Sequence, residues 1–430
     1  MQRFYTFSGE TDLSSSRRAV DLGSVLVIPS EQHALAMALL RERYYHLAYP
    51  KPIPWIKRAA YRILGRPARF EPTAPIPSDA VRNILVLRYD GLGDYLLTTP
   101  LLQWIRKSLP HVEIDVLTSQ RNDVLAWHDP TVRAHIPIQD RPQFHRSVLQ
   151  AIAKLRGRRY DLAIALVLNN MTRQAVLATL LAPQADYVTI HNGRAAWLYG
   201  QVFHRQVPHR PWQQHWIETI FSIGPHIFEP LAIPVSMPKI WLPCLPSAQE
   251  QVTQFLRTYG IGCREDDCTG GLDRGGQPFI IVNISASDQE RSLGYDQVRS
   301  LCSRVRARFP HYAIVLISSP IHRALGEQIA REFGPPMYFF HRSFFELIPL
   351  VERCRWIITP DTALVHIAAG LRKPVVGLYH RPLTVCEWYP YDTRFCIVLN
   401  APQQPLSTLP VDPIIAAAEM LDTLPRFTDR

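Results

Sequence analysis

A short apolar stretch, a glycine turn and a helix follow one another after Asn83, and this succession constrains the fold more than any other feature. Residues 83–88, NILVLR, lack polar alternation, which is typical of a strand buried on both faces of a parallel sheet. Gly91 and Gly93 predict a tight turn, followed by a helix to about Ser108. The helix start places backbone N–H groups at the carboxyl edge of the sheet, where open α/β sheets bind ligands.

The same succession returns in residues 356–379, WIITPDTALVHIAAGLRKPVVGLY. A strand leads to a turn at Asp361 and Thr362, a helix of small residues follows, and an apolar strand ends at Tyr379. A single Gly-x-Gly turn says little, because it lacks the third glycine of the dinucleotide fingerprint. Two such turns favour two ligand-binding edges, although Asp94 and Asp361 are also the residue type that caps helices.

Strand and helix patterns alternate along most of the chain, which predicts parallel sheets covered by helices. A proline- and glycine-rich region interrupts the alternation, so we expect two α/β domains. The predicted parts are an N-terminal extension (1–80), a first domain (81–235), a connection (236–276), a second domain (277–410) and a C-terminal helix with a tail (411–430).

The predicted elements are short strands and longer helices. The strands are 84–88, 113–117, 161–168, 186–190, 279–284, 312–317, 356–359, 375–379 and 395–399. The helices are 95–108, 147–155, 171–181, 212–223, 248–259, 295–308, 321–333, 344–351, 363–370 and 412–424.

The sequence pattern of the N-terminal extension predicts two amphipathic helices and a proline-rich linker. The first helix runs from Glu31 to about Tyr49, with an apolar stripe formed by Leu35, Leu39, Leu40 and Leu47. The segment Trp55–Arg66 contains the second helix, which ends at about Leu64 and combines apolar with basic residues. That composition fits an interfacial helix on an anionic membrane, and it fits a helix docked on its own protein equally well.

The chain carries a formal charge of +10 and a pI of about 9.3, which implies anionic partners. Basic residues are spread along the chain without a nucleic-acid motif, so we expect phosphorylated sugars or a phospholipid surface rather than nucleic acid. We also expect a cytoplasmic protein, because there is no membrane-spanning run and no apolar signal-peptide core. The seven cysteines, including the close pair Cys263 and Cys268, predict reduced thiols and no metal site.

Four short motifs follow one another in the chain: Arg88-x-Asp90-x-x-Gly93-Asp94, Thr98-Thr99-Pro100, Asp361-Thr362-x-x-x-His366-x-Ala368-Ala369 and Lys373-Pro374-Val375-Val376. In this order they resemble the ADP-heptose:lipopolysaccharide heptosyltransferases, glycosyltransferase family 9, over residues 82–424. The resemblance implies GT-B architecture, with two Rossmann-like domains facing across a cleft. It implies inverting transfer of heptose, or a related sugar, from an ADP-sugar to a lipopolysaccharide-type or other surface glycan at the cytoplasmic membrane face. The family needs no metal or other cofactor.

The resemblance also assigns roles to residues. Asp94 matches the family's general base, which removes the proton of the acceptor hydroxyl. Asp90 matches a common variant that either contacts the acceptor or braces the turn, together with Gly91 and Gly93. On the donor side, the helix start resembles an anion site for the diphosphate, formed by Asp361, Thr362, Ala363 and His366.

Several positions depart from the family. Ser287 and Arg291 follow the first strand of the second domain, where the family often has a small-residue turn and Lys-Arg-Trp-Pro. Arg291 replaces the phosphate-contacting lysine and still supplies a forked positive charge. Ala363 and His380 stand where glycine is common, so a methyl group is added beside the diphosphate, and an imidazole either contacts the donor or fills space.

Two other functions share this fold. One is a nucleotide-sugar epimerase of the same two-domain plan, which would need acid and base groups converging on the sugar. The other is an inactive glycan-binding or assembly protein, which the unmatched extension and Ala363 favour but the presence of Asp94 disfavours.

Overall fold

The computed structural model divides the chain into two compact units. We call residues 46–241 the Asp94 unit, and residues 242–430 together with 1–45 the Asp361 unit. The structure describes residues 3–6, 9–12, 25–44, 55–65, 67–69, 71–140, 142–167, 171–191, 196–229, 236–262, 276–401 and 404–423.

The strands are short and most are apolar. In chain order they are β1 (Arg3–Thr6), β2 (Gly9–Asp12), β3 (Leu26–Pro29), β4 (Asn83–Arg88), β5 (Glu113–Ser119), β6 (Ala134–Ile138), β7 (Leu162–Ala165), β8 (Asp186–His191), β9 (Arg205–Pro208), β10 (Phe279–Asn283), β11 (Ala313–Ile317), β12 (Met337–Phe339), β13 (Ile357–Pro360), β14 (Val375–Tyr379) and β15 (Phe395–Leu399).

Helices connect most of the strands. They are α1 (His33–Tyr44), α2 (Trp55–Leu64), α3 (Leu92–Ser108), α4 (Asp123–His128), α5 (Phe144–Leu155), α6 (Met171–Leu181), α7 (Ala196–Tyr199), α8 (Trp216–Ile227), α9 (Pro246–Tyr259), α10 (Tyr295–Arg308), α11 (Arg323–Phe333), α12 (Phe344–Arg353), α13 (Ala363–Gly370), α14 (Pro382–Glu387) and α15 (Val411–Thr423).

The Asp94 unit contains a six-stranded parallel sheet in the order β6-β5-β4-β7-β8-β9. This is the doubly wound order, in which chain direction along the sheet reverses between β4 and β7. Buried side chains of the central strands and of α5 and α6 form the core on one face, including Leu85, Leu87 and Leu177. The carboxyl end of β4, which leads to Asp90 and Asp94, therefore lies at the switch point where such sheets bind ligands.

The Asp361 unit repeats this plan and extends it. Strands β12-β11-β10-β13-β14-β15 are parallel and have the same doubly wound order, with the switch point between β10 and β13. Strand β3 then joins β15 antiparallel, and β1 and β2 continue the sheet. The two predicted parallel-sheet domains are thus confirmed, each with a buried core of strand and helix residues.

Most predicted elements are present, with shifted ends. Helix α8 runs from Trp216 to Ile227 rather than over 212–223, because His215 is its N-cap and accepts a hydrogen bond from the amide of Ile217. The prediction missed β6, β9 and β12, which lie at or near the sheet edges and are partly exposed or only three residues long. Partial burial breaks the uniform apolar pattern by which the other strands were predicted.

The beginning of the chain differs from the predicted extension. Strand β3 lies beside β15, and α1 covers only residues 33–44. Its buried face consists of His33, Ala36, Leu40 and Tyr44, whereas Leu35 of the predicted stripe is exposed. Leu47 and the predicted helix end at Tyr49 lie outside the described residues. Residues 25–44 are therefore part of the Asp361 unit, because β3 completes its sheet.

The predicted linker and connection are also integrated into the two units. The buried Arg205 donates hydrogen bonds to the carbonyl oxygens of Glu71 and Ala74, which holds the proline-rich segment on the Asp94 unit. Helix α9, predicted within the connection, belongs to the Asp361 unit, where Arg353 of α12 hydrogen-bonds to Gln249. Residues 263–275, which include the two close cysteines, lie outside the described residues.

Candidate active site

The turn after β4 is built around a buried arginine. Arg88 is 2% exposed, and its guanidinium donates hydrogen bonds to the carbonyl oxygens of Asp94 (2.9 Å) and Leu166 (2.7 Å). It also donates to Oδ2 of Asp90 (3.1 Å), and its Nη2 lies 3.9 Å from Oδ1 of Asp94. One buried positive charge therefore organises both carboxylates, as a buried charge requires partners to offset its desolvation.

Asp94 lies in the first turn of α3, which begins at Leu92 rather than after the predicted turn. Its Oδ2 accepts a hydrogen bond of 3.0 Å from the backbone N–H of Gly91, the N-cap residue. A Cβ atom at position 91 would lie 2.7 Å from that oxygen, so only glycine fits without a shift. Gly93 lies inside the helix, in its first turn. The side chain of Asp94 is still 28% exposed, and the carboxylate is both oriented and accessible.

The side chain of Asp90 is 24% exposed, close to the 28% of Asp94, but its two oxygens have different surroundings. Its Oδ1 is buried and has no hydrogen-bond partner in another of the described residues. Burial raises the pKa of Asp90 to about 7; Arg88 opposes this rise in the pKa, and the nearby Asp94 adds to it. A carboxyl group with this pKa can exchange a proton near neutral pH, whereas the sequence predicts either an acceptor contact or a brace of the turn.

Two polar side chains that the sequence did not single out hold this turn in place. The amide of Asn122 donates to the carbonyl oxygens of Arg88 (2.8 Å) and Gly91 (3.3 Å). The hydroxyl of Ser119 donates to the carbonyl oxygen of Asp90 (2.7 Å). Ser119 is the last residue of β5, the strand beside β4, and Asn122 follows that strand. Position at the carboxyl end of a parallel strand is therefore the signal that could have identified them.

The second candidate group begins at the N-terminus of α13. Thr362 is the N-cap residue, and its Oγ1 accepts a hydrogen bond of 3.4 Å from the amide of Leu364. Thr362, rather than Asp361, therefore caps the helix. The backbone N–H of Asp361 donates to the carbonyl oxygen of Leu378. Ala363 is the first helical residue, so its backbone N–H belongs to the first turn, which has no intrahelical acceptors.

Arg291 connects the loop after β10 to this helix start. Its guanidinium donates to the carbonyl oxygen of Asp361 (2.7 Å) and to the hydroxyl of Ser287 (3.0 Å), and its Nε donates to Asp288 (2.6 Å). Burial alone would raise the pKa of Asp288, but hydrogen bonding and charge from Arg291 lower it. The structure thus brings Ser287, Arg291, Asp361 and Thr362 together at the β10/β13 switch point.

The side chain of His366 is buried, whereas the sequence predicts an imidazole beside Thr362 in an anion site at the helix start. It is only 3% exposed, and its ring centroid lies 6.1 Å from that of Trp388. The four-residue spacing in the helix is therefore present, but the side chain is buried in the unit. His380, which follows β14, is buried as well, and its Nε2 lies 3.5 Å from Oε2 of Glu290.

Metal chemistry has no candidate centre in the part of the chain that the structure describes. No group of three or more histidine, cysteine or acidic side chains there is arranged to hold a metal ion. Five of the seven cysteines lie in the described ranges and have free thiols. Likewise, no helix in those ranges is both long and apolar enough to cross a bilayer.

Comparison with known proteins identifies the family of this chain. The family model of glycosyltransferase family 9 (heptosyltransferase) matches residues 148–409, more than half of the sequence and including the turn at Asp361. Lipopolysaccharide heptosyltransferase 3 of Escherichia coli K12 is 26% identical over 361 residues, which cover 78% of this chain and 96% of that protein.

Solved structures show the same fold. A family 9 glycosyl transferase from Veillonella parvula DSM 2008 has a TM-score of 0.62 at 17% identity, covering 79% of this chain and 97% of its own. The E. coli heptosyltransferase WaaC with ADP has a TM-score of 0.56, also at 17% identity, and covers 79% and 99%. The match of the family model over more than half of the sequence shows that this chain belongs to glycosyltransferase family 9 and is a glycosyltransferase.

Proposed function

We propose that the protein transfers heptose or a related sugar from an ADP-sugar to a lipopolysaccharide-type or other surface glycan acceptor, with inversion and without a metal or other cofactor. The observation that carries this proposal is the contrast between two switch points, one presenting carboxylates and the other an arginine beside a helix N-terminus. The heptosyltransferase name of a relative and the ADP in a solved relative agree with this choice of donor.

On the acceptor side, we propose Asp94 as the general base. Its carboxylate removes the proton of an acceptor hydroxyl while the hydroxyl oxygen attacks the anomeric carbon of the donor sugar. The bond from that carbon to the diphosphate breaks in the same step, and the proton remains on Asp94 until solvent takes it. The N–H of Gly91 holds Oδ2 in place, so the carboxylate needs little reorganisation.

On the donor side, we propose that the departing diphosphate is bound by Arg291 and the start of α13. Arginine binds phosphate through a rigid fork of N–H groups, and a helix N-terminus carries a partial positive charge. Contacts with Ser287 and the carbonyl oxygen of Asp361 fix the fork beside that N-terminus. These groups supply the charge stabilisation that a metal ion supplies in other transferases.

We also propose that the protein contacts an anionic membrane surface through α2 and α7. Tyr61 is fully buried and docks α2 on its own unit, whereas Trp55 and Ile63 are 78% and 82% exposed. Trp197 of α7 is 61% exposed, and the guanidinium carbon of Arg58 lies 5.8 Å from its ring centroid. Exposed apolar side chains mixed with basic ones are typical of an interfacial surface. This surface includes α7 in addition to the helix predicted from the sequence.

Nucleotide release tests the proposed transfer most simply. A panel of ADP- and UDP-sugars is offered with and without a lipid-linked acceptor. We expect ADP release that requires the acceptor and is lost in Asp94→Ala, while Asp296→Asn, an exposed first-turn acid of α10, retains activity. Conversion of a nucleotide sugar without an acceptor would instead indicate an epimerase, and no turnover of any donor would contradict transfer.

Vesicle sedimentation tests the membrane surface separately. Each buried large apolar side chain contributes about 1.5–3 kcal/mol, so Trp55→Ser with Ile63→Ser should weaken binding to anionic vesicles at least about tenfold. Leu149→Ser is the matched control, because Leu149 on α5 is 67% exposed and lies away from α2 in the chain. Equal binding by all three proteins would exclude this surface.

A further inference from the structure

His380 lies at the donor edge of the Asp361 unit, immediately after β14. Strand β14 pairs with β13, whose end leads to Asp361, so His380 follows the strand beside the proposed diphosphate site. The residue is 6% exposed. The strand order and the side-chain contacts place this histidine with the loop that carries Arg291, since His380 approaches Glu290 of the same loop.

The imidazole of His380 is buried without hydrogen bonds. Neither ring nitrogen has a hydrogen-bond partner in the described residues; Nε2 approaches Oε2 of Glu290 only to 3.5 Å. Most buried polar side chains have partners, because leaving one unpaired is costly. Two unpaired ring nitrogens beside a phosphate-type site therefore point to a ligand that supplies the missing acceptor.

Four charged side chains influence the pKa of this imidazole. Asp288, Glu290 and Arg291 belong to the loop after β10, and Arg381 is the next residue in the chain. Burial lowers the pKa of His380, and Arg381 lowers it further, while Glu290 opposes the change. The side chain is thus held neutral in the unliganded protein at neutral pH. A diphosphate beside it would add negative charge and favour the imidazolium form.

We propose that His380 binds the diphosphate of the nucleotide donor through a ring N–H and takes up one proton from solvent as the diphosphate binds. This rests on the proposed function, in which that edge holds a nucleoside diphosphate. The contact becomes a charge-assisted hydrogen bond, which glycine at this position cannot make. The proton returns to solvent when the nucleoside diphosphate leaves, so no bond of the sugar is involved.

The proposal fixes the direction of the pH dependence. The nucleotide-bound protein holds the proton more tightly than the free protein, so nucleotide affinity should rise as pH falls below about 6.5, the ordinary histidine pKa. The affinity advantage over a variant that cannot be protonated should shrink toward pH 8. A phosphate group also titrates near pH 6, but that contribution is common to all variants and cancels in the comparison.

Calorimetry with ADP, repeated with UDP, tests this at pH 6 in two buffers of different ionisation enthalpy. We expect the wild-type protein to take up more protons than His380→Gln, and the variant to bind ADP about tenfold more weakly at pH 6, since a charged hydrogen bond is lost. His311→Gln is the control, because His311 is exposed and precedes β11, at the opposite edge of the sheet. It should retain both the affinity and the proton uptake.

The outcomes separate this inference from the proposed function. If Arg291→Ala weakens ADP binding but His380→Gln leaves affinity and proton uptake unchanged, the role of His380 is overturned and the donor site stands. If the wild-type protein binds neither nucleotide, both are overturned. His380→Asn is a second variant, and unfolding curves show whether His380→Gln and His380→Asn are folded. Should both variants fail to fold, wild-type proton uptake no greater than the contribution of the nucleotide phosphate counts against the inference.

Discussion

The turns at Asp94 and Asp361 have the same backbone plan but place their charged side chains differently. Each follows a parallel strand at the switch point of a doubly wound sheet, and each starts a helix. At the first turn, two carboxylates share the buried Arg88. At the second, Arg291 donates to a backbone carbonyl beside the helix start, and a hydroxyl rather than a carboxylate caps the helix. One plan thus yields an edge suited to accepting a proton and another suited to binding an anion.

The largest expected effect comes from removing the proposed general base at the first turn. In Asp94→Asn the amide oxygen can still accept from Gly91, so the helix start is preserved while basicity is lost. General-base catalysis contributes about 10²–10⁴-fold, and kcat should fall by that amount with little change in KM for the donor. Steady-state kinetics with saturating acceptor measure it. A loss smaller than tenfold would show that Asp94 does not supply the base.

A smaller effect is expected at the second turn, where binding rather than proton transfer is removed. Arg291→Ala should raise the donor KM by about 10- to 100-fold, because charge-assisted hydrogen bonds to phosphate contribute about 1.5–3 kcal/mol. Arg299→Ala on α10 is the matched control, since that guanidinium is exposed and pairs with Glu332. Donor titrations decide the matter: an unchanged KM in Arg291→Ala, or an equal change in the control, would remove the distinction between the turns.

The third effect is the smallest within any one pH unit, and it concerns the difference in protonation between the two turns. The pKa of Asp90 is raised from 3.8 to about 7 in the folded protein, so the folded state keeps a proton that the unfolded chain releases between these values. This contribution to stability is full below pH 3.8 and is lost as pH rises through 7. Urea unfolding should show a decline of at most about 1.4 kcal/mol per pH unit that is absent in Asp90→Asn. Parallel pH profiles of the two proteins would contradict it.

The sequence predicted the two sheets because their central strands are uniformly apolar. It placed Asp94 and Thr362 at helix starts because a glycine turn precedes the first helix and the Asp361-Thr362 turn precedes the second. It did not reveal β3, since a strand that joins the sheet from the far end of the chain has no local partner. Pairing between distant segments depends on tertiary contacts that periodicity does not contain.

The electrostatics of the candidate site were less predictable than its location. Arg88 is part of one of the family motifs, but arginine is rarely buried. Its position at the centre of the turn therefore could not be predicted from the motif. Similarly, the sequence shows a histidine at position 380, where the family commonly has glycine. Its burial without hydrogen bonds is visible only in the folded chain. Burial and partners of polar groups are properties of the folded chain.

The anomeric configuration of the first transfer product tests the central claim most directly. Proton NMR of a short reaction with a nucleotide sugar of known configuration distinguishes the two outcomes. Direct attack by an acceptor deprotonated by Asp94 predicts the inverted anomer and no sugar attached to the protein. A retained anomer, or a sugar covalently bound to Asp94 in the intact mass, would show that this carboxylate acts as a nucleophile and not as a base.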